Sequence, residues 1–225
     1  MFDYLFNLFW DPEIWEITKL SLSVSGFATI LSVLIGLPLG TLLALVKFPG
    51  RSVLLALINT GMGLPPVVVG LAVAMVLWRS GPLGDLHLIY TPSAIIIAQT
   101  VISAPVVTGL TVAGLQQLDP KLRLQLMGLG ASTPQVVSAL WWEARLALLA
   151  ALMAGFGSVI SEVGASMMVG GNIKGQTRVL TTAIVLETNK GYFERAIILG
   201  IFLLIITLLI NYALTLVQQN GTNKR

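Results

Sequence analysis

Glu162 is the side chain in this sequence best placed to do chemistry, because it stands alone in a long apolar stretch. A carboxylate in such surroundings is costly unless it meets polar partners or takes up a proton. Its neighbours Gly155, Gly157, Ser158, Ser161, Gly164, Ala165 and Ser166 are small and allow helices to approach closely. Two roles are open to Glu162: a structural hydrogen bond to a neighbouring helix end or hydroxyl, or a place on a solute path. A second irregular stretch is Gly61-Met62-Gly63-Leu64-Pro65-Pro66. Its paired prolines delete two backbone donors, and the freed carbonyls need neighbouring helices, water or a cavity. A packing kink and a broken helix beside a substrate path both fit that pattern. The glycine-rich run Gly170-Gly171-Asn172-Ile173-Lys174-Gly175 lacks the Lys-Ser/Thr ending of a phosphate cradle and follows an apolar helix, not a strand. His87 is solitary in a loop and receives no role. The absence of cysteine excludes disulfides and thiolate metal sites, and no metal site is expected.

The elements that must position these groups are apolar. The chain is 56% hydrophobic and only 10% charged, with a mean hydropathy of +0.89, where a soluble domain carries about 25% charged residues. No Asp, Glu, Lys or Arg occurs between Lys19 and Lys47, Arg51 and Arg79, Asp85 and Asp119, or Arg195 and Lys224, and Glu162 is the one charge in 146–173. Roughly 20 apolar residues cross a bilayer, so the pattern predicts an all-α integral membrane protein with five transmembrane helices and a single domain over 1–225. Buried helices of a soluble enzyme would need a polar shell that this chain lacks. The spans are expected at 12–46, with a kink at Gly36-Leu37-Pro38, at 52–78, at 91–118 around Pro105, from 146 onward, and at 192–217. A short apolar helix is expected at 179–186. Phe2, Leu5, Phe6 and Phe9 recur at helical spacing and predict an interfacial helix over 1–10, anchored by Trp10 and Trp15. The first residues do not have the pattern of a cleaved signal peptide. The net charge of +3 is scattered among loops, so no nucleic-acid partner is expected, whereas membrane lipid is.

The longest polar interruption is 119–145. Asp119-Pro120 is a helix start, with Asp as cap and Pro in the first turn. Leu122, Leu126 and Leu129 follow in a stripe, and Gly128-Leu129-Gly130 ends the helix. Thr133-Pro134 opens a second helix carrying Val136, Val137, Leu140 and Trp141. A helix–glycine–helix elbow on the wet side of a membrane protein suits docking onto another protein. Basic residues do not orient it. Lys47, Arg51, Lys121, Arg123, Arg145, Lys224 and Arg225 fall on its side of the membrane. Lys19, Arg79, Lys174, Arg178, Lys190 and Arg195 fall on the other, too even a division for the positive-inside rule to decide.

The segment Leu126-Met127-Gly128-Leu129-Gly130-Ala131-Ser132 resembles the cytoplasmic coupling loop of binding-protein-dependent ABC importers. Gly130 matches the glycine of that loop; Leu124, Gln125 and Leu126 stand where Glu-Ala-Ala is usual, and Trp142-Glu143 replaces the closing Leu-Pro. Gly36-Leu37-Pro38-Leu39-Gly40, Lys47-Phe48-Pro49-Gly50-Arg51 and Leu64-Pro65-Pro66-Val67-Val68-Val69-Gly70 occur in the order seen in molybdate and tungstate permeases. Ser161-Glu162-Val163-Gly164-Ala165 and Asn172-Ile173-x-Gly-x-Thr177 are similar to segments of the same proteins, and Met167-Met168-Val169-Gly170-Gly171-Asn172-Ile173 leans toward the tungstate branch.

The resemblance implies a type I importer permease that pairs as a homodimer on two ATP-binding subunits and is fed by an extracytoplasmic oxyanion-binding protein. It places the elbow in the cytoplasm, hence the N-terminus outside and the C-terminus inside the inner membrane. ATP then belongs to the partner subunit, no cofactor is bound by this chain, and the chain is not itself an enzyme. For a dianion the path should offer donors. The candidates for path or gate are Asn59, Thr60, Thr100, Ser103 and Thr108, amides near Pro65 and Pro66, and Ser161, Glu162 and Ser166, with helix N-termini serving the same purpose. A same-architecture permease for sulfate or another small solute, and a non-transporting membrane scaffold, are the alternatives.

Overall fold

The computed structural model describes residues 10–222; the interfacial helix expected over 1–10 lies almost wholly outside them. The helices follow in the order α1 (Pro12–Leu45), α2 (Arg51–Met62), α3 (Pro66–Leu77), α4 (Pro92–Gln116), α5 (Pro120–Gly128), α6 (Thr133–Glu143), α7 (Arg145–Ile160), α8 (Gly164–Gly170), α9 (Leu180–Asn189) and α10 (Phe193–Thr222). Three of them, α1, α4 and α10, are long and apolar enough to cross a membrane unbroken. The crossings reach five only if two bent pairs, α2 with α3 and α6 with α7, each count as one.

Helix α1 begins as its sequence dictates: Asp11 Oδ1 accepts the Glu13 amide at 2.9 Å, with Pro12 in the first turn. It continues as helix through Pro38, within the expected kink position Gly36-Leu37-Pro38, and its glycines also serve packing. The buried face of α1 reads Ser21, Ser25, Ala28, Ser32, Gly36, Gly40, a small residue every third or fourth position that brings two backbones together. Its partner is α4, the helix around which α1, α2, α3, α7 and α8 gather. A methyl group on Gly36 would lie 2.8 Å from Val107 Cβ, and one on Gly40 would lie 2.8 Å from the Thr108 carbonyl oxygen. The opposite face of α1, with Phe27, Ile30, Leu34 and Leu42, is exposed, as lipid contact requires.

Two expected spans differ from the sequence reading. The second is not one crossing rod: α2 and α3 meet at 106° across Gly63-Leu64-Pro65, because neither proline can donate to the preceding turn. The fourth ends at Ile160, and α8 starts afresh at Gly164. Glu162 therefore sits in a gap between two helices.

At the end of the molecule that carries the start of α1, an ion cluster ties three segments together. The Glu13 carboxylate receives Lys174 Nζ at 2.9 Å, Arg178 Nη1 at 3.1 Å and Arg195 Nη2 at 2.7 Å, and Arg195 also reaches Asp11 at 3.2 Å. Trp15 packs edge-on against Phe202 nearby, with ring centroids 5.4 Å apart. The starts of α1 and α10 are thus neighbours. The loop between α8 and α9 is closed by its own side chains: Thr177 Oγ1 donates to the Gly170 carbonyl and accepts the Ile173 amide at 2.9 Å, while Thr182 Oγ1 donates to Asn172 Oδ1 at 3.0 Å.

Gly40→Val is expected to destabilise the protein by about 1–3 kcal/mol through overpacking against α4. Gly26→Ala, whose added methyl meets nothing within 4 Å, is expected to be neutral or stabilising. Thermal unfolding of the purified protein in detergent measures both, and a Gly40→Val variant as stable as wild type would refute backbone contact at α1–α4.

Candidate functional site

The elbow at 119–145 forms as the sequence predicts. Asp119 Oδ1 accepts the Lys121 amide at 2.9 Å to start α5, and Gly130 takes a left-handed backbone (φ 82°) after it. Ser132 and Gln135 form a capping box at the start of α6, with the Ser132 amide on Gln135 Oε1 at 2.8 Å. The inner faces of α5 and α6 close on a cluster of Leu115, Val136, Leu140 and Ala144 with Leu45, Leu118, Leu122 and Leu126 around it.

Arg123 and Trp141 then fasten the elbow to the end of α1, and Arg51, at the start of α2, holds the same helix end. Arg123 Nη1 donates to the Leu45 carbonyl at 2.7 Å, and Arg51 Nε donates to the Leu43 carbonyl at 2.7 Å. Trp141 Nε1 donates to Thr41 Oγ1 at 2.9 Å. The last carbonyls of a helix lack intrahelical partners and carry partial negative charge, so two guanidinium groups there satisfy both needs. The outer side of the elbow is apolar and uncovered: Leu129 is 85% exposed and Trp142 70%, with Leu124 and Met127 beside them. Of the residues expected to couple, Met127, Gly128, Leu129, Gly130 and Ser132 are exposed, while Leu126 and Ala131 are half-buried against the cluster.

The path candidates separate into two groups. Pro65, Pro66, Ser161, Glu162 and Ser166 lie about one place, because the two helix breaks are side by side. A methyl group on Gly70 would lie 2.6 Å from Ala165 Cα, and one on Gly164 would lie 2.5 Å from Val67 Cγ2. The half-helices α3 and α8 therefore start together and run in the same direction. Glu162 is buried and folds back as the cap of α8: its Oε1 accepts the Ala165 amide at 2.7 Å. Its own carbonyl accepts Thr181 Oγ1 at 2.7 Å. The carboxylate is thus occupied by a backbone donor.

The second group is divided: Thr100, Ser103 and Thr108 are buried on α4, whereas Asn59 and Thr60 are not. Ser103 Oγ donates to the Gly155 carbonyl at 3.2 Å, which joins α4 to α7. Thr100 and Thr108 donate back to Ile96 and Ala104 of their own helix at 2.7 and 2.6 Å. Asn59 and Thr60 are exposed on α2, with Thr60 Oγ1 bonded to the Ala56 carbonyl at 2.8 Å.

Gln99 went unnoticed at the sequence level. It is 2% exposed, and its Nε2 donates to the Val159 carbonyl at 3.1 Å and to Ser166 Oγ at 3.4 Å, bridging the gap between α7 and α8 from the side of α4. The signal was present: an amide in a charge-free apolar span deserves the attention given to Glu162.

A transmembrane bundle with a capped elbow at one end and paired helix breaks within it has known counterparts. Residues 36–220 match the model of the binding-protein-dependent transport system inner membrane component. The chain belongs to that family. It is 42% identical over 201 residues to a "Probable anion ABC transporter permease protein" of Haloferax volcanii, covering 87% of each chain. It is 38% identical over 209 residues to the tungstate uptake system permease protein TupB of Peptoclostridium acidaminophilum, covering 93% of this chain and 92% of that one. Its fold matches the membrane chain of an inward-facing MetNI methionine ABC transporter with a TM-score of 0.77 at 20% identity, over 94% of this chain and 98% of that one. The type I importer permease fold expected from the motifs is the fold found. The chain is a multi-pass membrane protein.

Glu162→Gln keeps an oxygen for the Ala165 amide and is expected to leave the unfolding temperature close to wild type. Glu162→Leu strands that buried donor and is expected to cost about 1–3 kcal/mol. Equal loss in both variants, followed by thermal unfolding, would show that charge rather than capping is what matters.

Proposed function

We propose that this chain is the membrane-spanning subunit of an ABC importer that moves tungstate, or the closely similar molybdate, into the cell by alternating access. The observation that carries the reading is the elbow: an apolar, uncovered outer face on a pair of helices anchored to the end of α1. Two copies would each seat their elbow in an ATP-binding subunit, which supplies the ATP chemistry. An extracytoplasmic oxyanion-binding protein would deliver the solute. The tungstate preference rests on the similarity to TupB and on the motifs around Met167 and Asn172.

With the elbow in the cytoplasm, the ion cluster around Glu13 is outside, the N-terminus is outside and the C-terminus inside. Movement of the elbow reaches three spans together. Helix α4 leads into α5, Ala144 joins α6 directly to α7, and Arg123 and Trp141 hold α1. The partner can drive that motion only by holding the elbow differently in two states. The oxyanion would pass the paired breaks. The start of α8 is already taken by Glu162, and the Val68 and Val69 amides of α3 already bond to the Pro65 carbonyl, so the Val67 amide and the exposed Asn59 side chain are the donors left for a dianion.

Leu129→Asp is expected to abolish ATPase stimulation by this subunit while membrane insertion stays normal. The chain has no cysteine, so a single cysteine at Leu129 reports its side directly. It should react with a thiol reagent added to inverted vesicles and not to intact cells, and the reverse labelling would overturn the topology. In uptake of labelled tungstate, unlabelled tungstate and molybdate are expected to compete at least tenfold better than sulfate. Preferred uptake of sulfate would assign the chain to the sulfate reading, and absence of any stimulated ATPase activity would favour the scaffold.

A further inference from the structure

Between the elbow and the end of α1 lies a cavity of about 310 Å³ that none of the coupling contacts fills. Its walls include Leu42, Leu45, Val46, Val136 and Val137, and Arg123 is its one charged lining residue. The Arg123 fork spends Nη1 on the Leu45 carbonyl, and no carboxylate among the described residues pairs with it. A guanidinium carries five N–H donors, so most of its hydrogen-bonding capacity faces the cavity unspent. The hydroxyl of Thr41 adds no free donor, since it already donates to the Leu37 carbonyl and accepts from Trp141.

The depth of the cavity follows from α1. Charges end at Lys19 and resume at Lys47, so the charge-free part of the helix spans the hydrocarbon and Leu45-Val46 lies at the headgroup boundary. Leu42 and Val46 on the rim are exposed. An apolar trough of that depth, with a single unpaired cation at its mouth, matches one molecular shape: an acyl chain below a phosphate.

We propose that this cavity binds an anionic phospholipid, with the phosphate on Arg123 and part of one acyl chain against Leu42, Val136 and Val137. The lipid would wedge the junction through which the elbow moves α1, so coupling would depend on anionic lipid. A free anion would meet apolar walls it cannot wet. The inference rests on the membrane crossing of α1 and not on the identity of the transported solute.

The test uses the assembled transporter in nanodiscs of phosphatidylcholine with or without phosphatidylglycerol, read by native mass spectrometry and by ATPase rate. Wild type is expected to retain phosphatidylglycerol over phosphatidylcholine and to be stimulated by it. Val137→Trp fills the trough without touching the Arg123–Leu45 bond and is expected to weaken that retention about tenfold. Arg123→Gln keeps a donor for Leu45 and is expected to erase the preference for the anionic headgroup. Equal retention of the two lipids by wild type would overturn the proposal even if a variant failed to fold. So would unchanged retention in Val137→Trp, displacement of the lipid by inorganic phosphate, or cross-linking of Leu42→Cys to the ATPase subunit in place of lipid.

Discussion

Inside a bilayer no water is present to answer an amide or a carbonyl, so every place where a helix stops must supply its own partners. In this protein two such places show how. The gap at Ser161-Glu162-Val163 is closed by Glu162 on the Ala165 amide, by Thr181 on the Glu162 carbonyl and by Gln99 on the Val159 carbonyl. The end of α1 is closed by Arg51 and Arg123. These partners come from α2, α4, α5 and α9 as well as from the gap itself, so the breaks join the bundle together rather than weaken it.

The same constraint explains why a lone carboxylate can persist at Glu162. Its cost in an apolar setting is offset by a backbone donor at the positive end of α8. A dianion moving past would meet a carboxylate whose lone pairs already face inward. What it could use is the Val67 amide at the matching end of α3, ahead of the Val68 and Val69 amides that bond to the Pro65 carbonyl. Side-by-side half-helices, one capped and one free, are a geometry that a continuous span cannot offer.

Packing gives the motion its unit. Small residues on α1 bring it against α4 at backbone distance, Gly114 brings α4 against Ala147 of α7, and Ser103 ties α4 to Gly155. Such contacts slide or separate but do not compress. The elbow is continuous with α4 and α7 and is clamped to α1. Displacing it therefore displaces three spans as a body, while α10 shows most of its length to lipid.

The sequence by itself determined the solvent, the elbow and the family. Charge-free runs identify lipid, Asp-Pro and glycine signals fix the ends of α5 and α6, and the short motifs around Gly130, Glu162 and Asn172 carry the resemblance. All of these are local: a cap or a hydropathy run is decided by residues a few positions apart. Tertiary structure alone decided the rest. Only there do Pro65-Pro66 and Ser161-Glu162 become one site, Gly36 and Gly40 become contacts with α4, and Gln99 and Thr181 become the partners of a break dozens of residues away or in another helix. Arg123 shows why. Its exposure and charge suit a solvated helix face, and only the fold brings it to the unsatisfied carbonyl of Leu45, since a hydrogen bond across 78 positions of chain leaves no periodicity to read.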